Sequence, residues 1–108
     1  MLTSSEDLLR FIRLTKLVQI MPVFPKRRAD LTTREVNGET LILDRKHEDV
    51  HQLNSSASYV WQCCDGRMTA HDIAVAMAVD FSIVLETAER DVASLLSQLT
   101  ALGLLETK

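Results

Sequence analysis

The stretch from Val50 to Gly66 constrains the fold of this chain more than any other. Val50-His51-Gln52-Leu53 has the short, partly apolar pattern of a strand. Asn54 follows, and an asparagine side-chain oxygen accepts well from the free amides of a first helical turn. Ala57, Val60, Trp61 and Cys64 then recur at spacings of three and four, which places them on one helix face. Asp65-Gly66 predicts the stop, because glycine adopts the left-handed conformation that closes a helix. Strand, capped helix and stop follow one another without a break, and the single tryptophan anchors the middle.

Upstream the pattern is that of strands. Thr32-Thr33-Arg34-Glu35-Val36 runs into Asn37-Gly38, the dipeptide that best fits a tight hairpin because both central positions need positive φ. Glu39 to Asp44 is the return strand, residues 45–49 a polar turn, and Val50 to Leu53 a third strand. Three short strands are not stable alone and need helices on one face. Downstream the period is helical. Thr69 caps a second helix, with Asp72 completing a capping box, and Ile73, Ala74, Met77 and Phe81 form its buried stripe. A last helix is expected from near Ser82 to Leu102, with Ala88, Val92, Leu95, Leu96, Leu99 and Leu102 inward and Gly103 as its stop.

Before the sheet, residues 5–19 read as an amphipathic helix capped by Ser4 or Ser5. Leu8, Phe11, Ile12, Leu14 and Val18 share one side, and Arg10, Arg13 and Lys16 the other. Such a helix packs on its own domain or on a second copy, giving a homodimer, or serves as a docking arm. Pro22 and Pro25 end it. Lys26-Arg27-Arg28 reads as a solvated linker. The expected organisation is an N-terminal helix and linker over 1–25 and one α+β domain over 26–108.

The 108 residues carry a net charge of -3, so there is no global attraction to nucleic acid or to an anionic membrane. No apolar run reaches the length of a membrane span, and the first residues lack the basic start of a secretion signal, so a cytoplasmic location is expected. Cys63 and Cys64 are adjacent; neighbours on a helix diverge by about 100°, so they read as buried small apolar residues and not as a disulfide. His47, His51 and His71 lack the spacing of a zinc site, and no metal or cofactor is expected. Three glycines, assigned to a hairpin and two helix stops, leave none for a phosphate-binding loop, and no nucleophile–base spacing is present. The chain is not expected to be an enzyme. Helix pairs beside a small sheet often read DNA, but between Thr69 and Ala101 Arg90 is the sole cation, against Asp72, Asp80, Glu86, Glu89 and Asp91. What remains is a sheet with an unpaired edge, which accepts an extended peptide as a further strand.

The order His51-x-Leu53-Asn54, then Trp61, then Asp65-Gly66 resembles pyrroloquinoline quinone (PQQ) biosynthesis protein D (PqqD) and the related RiPP recognition elements of ribosomally made, modified peptides. Val36-Asn37-Gly38-Glu39 extends the likeness upstream; Asp91-Val92, Leu96, Leu99 and Gly103-Leu104-Leu105 extend it downstream, so that residues 26–105 are covered. The resemblance implies a winged helix-turn-helix-like fold, a three-stranded antiparallel sheet followed by three helices, to which the N-terminal helix is an addition. It implies a non-catalytic peptide chaperone that binds the leader of a precursor peptide and presents it to a modifying enzyme, often a radical S-adenosylmethionine enzyme. The leader would lie along the third strand, Asp49, Val50, His51, Gln52 and Leu53, facing the flank of the last helix at Asp91, Leu95, Gln98 and Leu102. A generic interaction adaptor, and then a winged-helix DNA-binding protein, are the alternatives.

Overall fold

The computed structural model describes residues 23–106. The predicted helix over 5–19 and the last two positions lie outside the described residues. From Thr32 the chain forms an antiparallel hairpin, β1 (Thr32–Val36) and β2 (Glu39–Asp44). Asn37 and Gly38 turn it at φ +52° and +80°, the two left-handed positions of a type I′ turn. A polar turn leads to β3 (Asp49–Leu53), and the order β1-β2-β3 makes β3 an outer strand.

Three helices follow: α1 (Ser55–Cys63), α2 (Ala70–Asp80) and α3 (Leu85–Ala101). Asn54 caps α1 as its chemistry requires, its Oδ1 accepting from Ala57 N–H at 2.9 Å. At α2 the capping box is complete. Asp72 N–H donates to Thr69 Oγ1, and Thr69 N–H donates to Asp72 Oδ2. The core joins sheet and helices: Ile42 and Leu53 meet Ala57, Val60, Trp61, Cys64, Ile73, Met77, Val92 and Leu99. Ser58 is buried with them because its hydroxyl donates to Leu53 O at 3.1 Å. The three strands and three helices match the expected fold.

Three local expectations are corrected. Phe81 is not in the buried stripe of α2; it caps the helix, is 38% exposed, and meets Tyr59 edge-on with ring centroids 5.1 Å apart. The last helix begins at Leu85 and not near Ser82, since Ser82 takes φ +54° and turns the chain out of α2. It ends at Ala101, and Leu102, expected to face inward, is 47% exposed.

A fourth correction concerns Lys26-Arg27-Arg28, which is not a solvated linker. Residues 25–28 run between the end of α1 and the segment that leaves α3. Arg27 N–H donates to Cys64 O and Gly66 N–H to Pro25 O; on the other side Arg28 N–H donates to Leu104 O and Glu106 N–H to Lys26 O. Both arginine side chains make hydrogen bonds as well. Arg27 Nη1 donates to Trp61 O at 2.9 Å and Gln62 O at 2.7 Å, the last carbonyls of α1, which has no basic residue of its own in that turn. Replacing Asn54 by Ala is expected to remove about 1 kcal/mol of stability, read as a lower urea midpoint with an unchanged slope.

Candidate functional site

Cross-strand partners in an antiparallel pair point to the same face. Thr40, Ile42 and Asp44 are buried, so their partners Leu53, His51 and Asp49 face the helices. Val50 and Gln52 face away: Val50 is 68% exposed, and Gln52 Nε2 reaches Glu39 at 3.0 Å on the outer side. This decides a point that alternation alone left open. Of the five strand positions, Asp49, His51 and Leu53 look towards the helices, whereas Val50 and Gln52 offer only main chain to that side. Leu53 is core at 6% exposure; His51 is half-buried, and its Nε2 is buried without a partner among the described residues. On the side away from β2, no described strand pairs with β3, and its main-chain N–H and C=O groups point outward there.

On α3, Asp91 and Gln98 are exposed, Leu95 is half-buried against the core, and Leu102 is half-exposed. Among the described residues no Cα of β3 lies within 8 Å of a Cα of α3, so the two elements are not packed directly on each other. One cation ties the end of α3 to the end of β2. Arg28 Nη1 donates to Asp44 Oδ2 at 2.8 Å and to Gly103 O at 2.9 Å. Asp44 pairs with Asp49 across the sheet, and Gly103 follows Leu102. Leu102 and Asp49 are thereby each next to, or paired with, a residue held by that guanidinium. The structure does not tie Asp91 to the strand in this way. Beside this tie is an open depression of about 610 Å³ lined by Arg28, Asp30, Lys46, His47, Gly103 and Glu106 among others.

Sequence reasoning missed Arg28 and Asp44. Asp44 is buried, its carboxylate also receives His47 Nδ1 at 2.8 Å, and Arg28 first and His47 second hold it well below the usual carboxylate range. Asp30 is lowered for the same first cause, its bond to Arg28. A signal was present: Thr40, Ile42 and Asp44 alternate on the inward face of β2, and an inward acid demands a cation. Nothing local names Arg28 as that cation. The two cysteines differ: Cys63 is half-buried, and burial raises its thiol. Cys64 is fully buried, its Sγ donates to Val60 O, and burial pushes its thiol up to about 12. Among the described residues no cluster of ligands able to hold a metal ion is present. No helix among them is long and apolar enough to cross a membrane.

The site thus stands on an open three-stranded sheet, with β1 and β3 as its outer strands, followed by three helices. The model of the family described as coenzyme PQQ synthesis protein D (PqqD) matches residues 39–105, and the chain belongs to that family. Three solved structures share the fold. One is TbiB1 in complex with the TbiA(beta) leader peptide, with a TM-score of 0.69 and 22% identity over 77% of this chain and 96% of that one. Another is a lasso peptide synthetase B1 complexed with its leader peptide, with a TM-score of 0.68 and 21% identity over 78% and 99% of the two chains. The third is the PqqD truncation of Methylobacterium extorquens PqqCD, a stand-alone RiPP recognition element, with a TM-score of 0.63 and 21% identity over 77% and 88%. At these identities the likeness is one of fold. Comparison with curated proteins finds no match.

The lowered Asp44 makes a stability prediction with a definite sign. Its ionised form is favoured by folding, so its contribution is complete above the unfolded aspartate pKa of about 3.9 and is lost as pH falls from there through the folded value. Urea midpoints measured across that acid range should fall for the wild type, and Asp44→Asn should flatten this part of the curve. Arg28→Lys should not rescue the wild-type behaviour, because an ammonium lacks the planar fork.

Proposed function

We propose that this chain is a non-catalytic recognition element that binds the leader of a ribosomally made precursor peptide and presents it to a modifying enzyme. The observation that carries the reading is the free edge of β3, with Asp49, His51 and Leu53 turned to the helix side. The leader adds as a further strand beside residues 49–53. Its main chain bonds to the open N–H and C=O groups, and its alternate side chains enter the space towards Asp91, Leu95, Gln98 and Leu102 of α3. Family membership supports this, as does the presence of leader peptides in two solved relatives of the same fold.

The domain responsible is residues 26–108. The modifying enzyme is of the radical S-adenosylmethionine type, and any iron–sulfur cluster belongs to it. Such a division of labour needs only moderate affinity, since holding the leader raises the local concentration of the core peptide at the enzyme. The setting is the cytoplasm, and the product is PQQ or a related modified peptide. DNA binding is disfavoured by charge: the one cation of α2 and α3, Arg90, lies 3.7 Å from Glu86 and is partly neutralised.

Titration of the labelled protein with leader peptides encoded beside its gene should move amide resonances of residues 49–53 and of 91–102. Leu102→Asp, at a half-exposed position that leaves the core intact, is expected to weaken binding by about tenfold, roughly 1.4 kcal/mol. N-methylation of the leader at alternate residues should abolish binding in one register and spare it in the other, because only every second amide faces β3. Equal tolerance of both registers would sink strand addition.

A further inference from the structure

We infer that His51 is a specificity residue of the β3 groove, its imidazole pairing with a hydroxyl or amide side chain of the bound leader. This presupposes that the leader adds to β3, and it names the leader chemistry that main-chain pairing leaves open. Among the described residues two buried side-chain polar atoms lack a hydrogen-bond partner, Thr40 Oγ1 and His51 Nε2. Both residues lie on the helix-facing side of the sheet. A buried polar atom without a partner costs folding free energy, whereas an apolar group of the same shape does not. His51 stands between Asp49 and Leu53 on that face, opposite the fully buried Ile42. A leucine there would stabilise the domain more, so stability does not account for the imidazole.

Position separates the two unpaired groups. Thr40 is in the central strand, with Glu35 on one side and Leu53 on the other, so no further strand can come beside it. His51 is in an outer strand, with Ile42 on one side and no described strand on the other. A strand added there sets a same-face side chain opposite His51, with Cβ atoms about 5 Å apart. The residue is half-buried, so turning the ring about its side-chain bonds carries Nε2 from a setting without partners to that side chain. Nε2 has no bond to surrender first. Charge then sets the class of the partner. Asp49 is diagonal to the opposing position, at about 7–8 Å, and repels a leader carboxylate placed there. Hydroxyl and amide groups meet no such repulsion, and because they both donate and accept, they suit either tautomer of a neutral imidazole.

The test titrates the full chain, isotope-labelled, with leader peptides encoded beside its gene, for the wild type, His51→Leu, His51→Gln and Thr40→Val. Urea midpoints are measured on the free proteins. His51→Leu should raise the midpoint yet weaken leader binding about fivefold, the size of one neutral hydrogen bond. His51→Gln keeps a donor and an acceptor and should stay within about twofold of the wild type. Thr40→Val should raise the midpoint and leave affinity unchanged. Long-range nitrogen–proton correlation should show the His51 Nε2 resonance moving as leader is added. Alanine at one Ser, Thr, Asn or Gln of the leader should weaken binding to the wild type and not to His51→Leu. Equal affinity of the wild type and His51→Leu, with amides of residues 49–53 still shifting, would overturn the role of His51 and leave strand addition standing. An Nε2 resonance unmoved by bound leader would overturn it on the wild type alone, whether or not His51→Leu folds. Wild-type amides of residues 49–53 unmoved by every leader would instead remove strand addition itself, and the role of His51 with it.

Discussion

One guanidinium holds this domain in register. Arg28 has five N–H groups, and each has an acceptor: Asp30 takes two bonds, Asp44 two, and Gly103 O one. Through these bonds the strand β2, the segment before β1 and the exit of α3 meet at one point. Asp44 would be a buried, unpaired charge without it, and Gly103 O would lack its side-chain donor. The open edge of β3 therefore depends on an interaction that no residue of β3 makes. The edge is positioned by β2, and β2 is positioned against α3 by Arg28.

Arg27 performs the matching task for α1. A nine-residue helix is too short to be stable in isolation. Its N-terminus is capped from within the local sequence by Asn54, but its C-terminus carries no cation. Arg27 arrives from 34 and 35 residues away, caps the Trp61 and Gln62 carbonyls, and lies over the Trp61 ring at 5.9 Å. The two arginines thus convert a three-residue basic run, which composition alone assigns to solvent, into the fastening between helices and sheet.

The fold was legible wherever a local rule decides it. Asn37-Gly38 specified the hairpin because positive φ at both positions favours those residues. Asn54 and Thr69 specified helix starts because their side chains bond amides within three residues. Legibility failed where two local signals competed. Ser82 has the side chain of a helix cap but takes a left-handed turn that lets Ile83 reach back to Ala78, so α3 starts later, at Leu85. Phe81 matched the apolar period of α2, yet the helix ends there, and its ring finds Tyr59 in place of the core. In the candidate site, strand and helix flank were readable as segments. Which face of β3 meets the helices was not, because His51 and Leu53 against Val50 and Gln52 give no decisive polarity.

By itself, then, the sequence determined the element order, the hairpin, the helix starts at Asn54 and Thr69, and the buried stripe around Trp61. These rest on φ preferences, capping bonds and apolar periodicity, all of which act within a few residues. Only the tertiary structure decided which side of β3 faces the helices and that Arg27 and Arg28 are fastenings. Those outcomes depend on charges and carbonyls that meet across separations of 16 to 75 residues. A buried carboxylate dictates that some cation must come to it, but only the packed chain determines which one does.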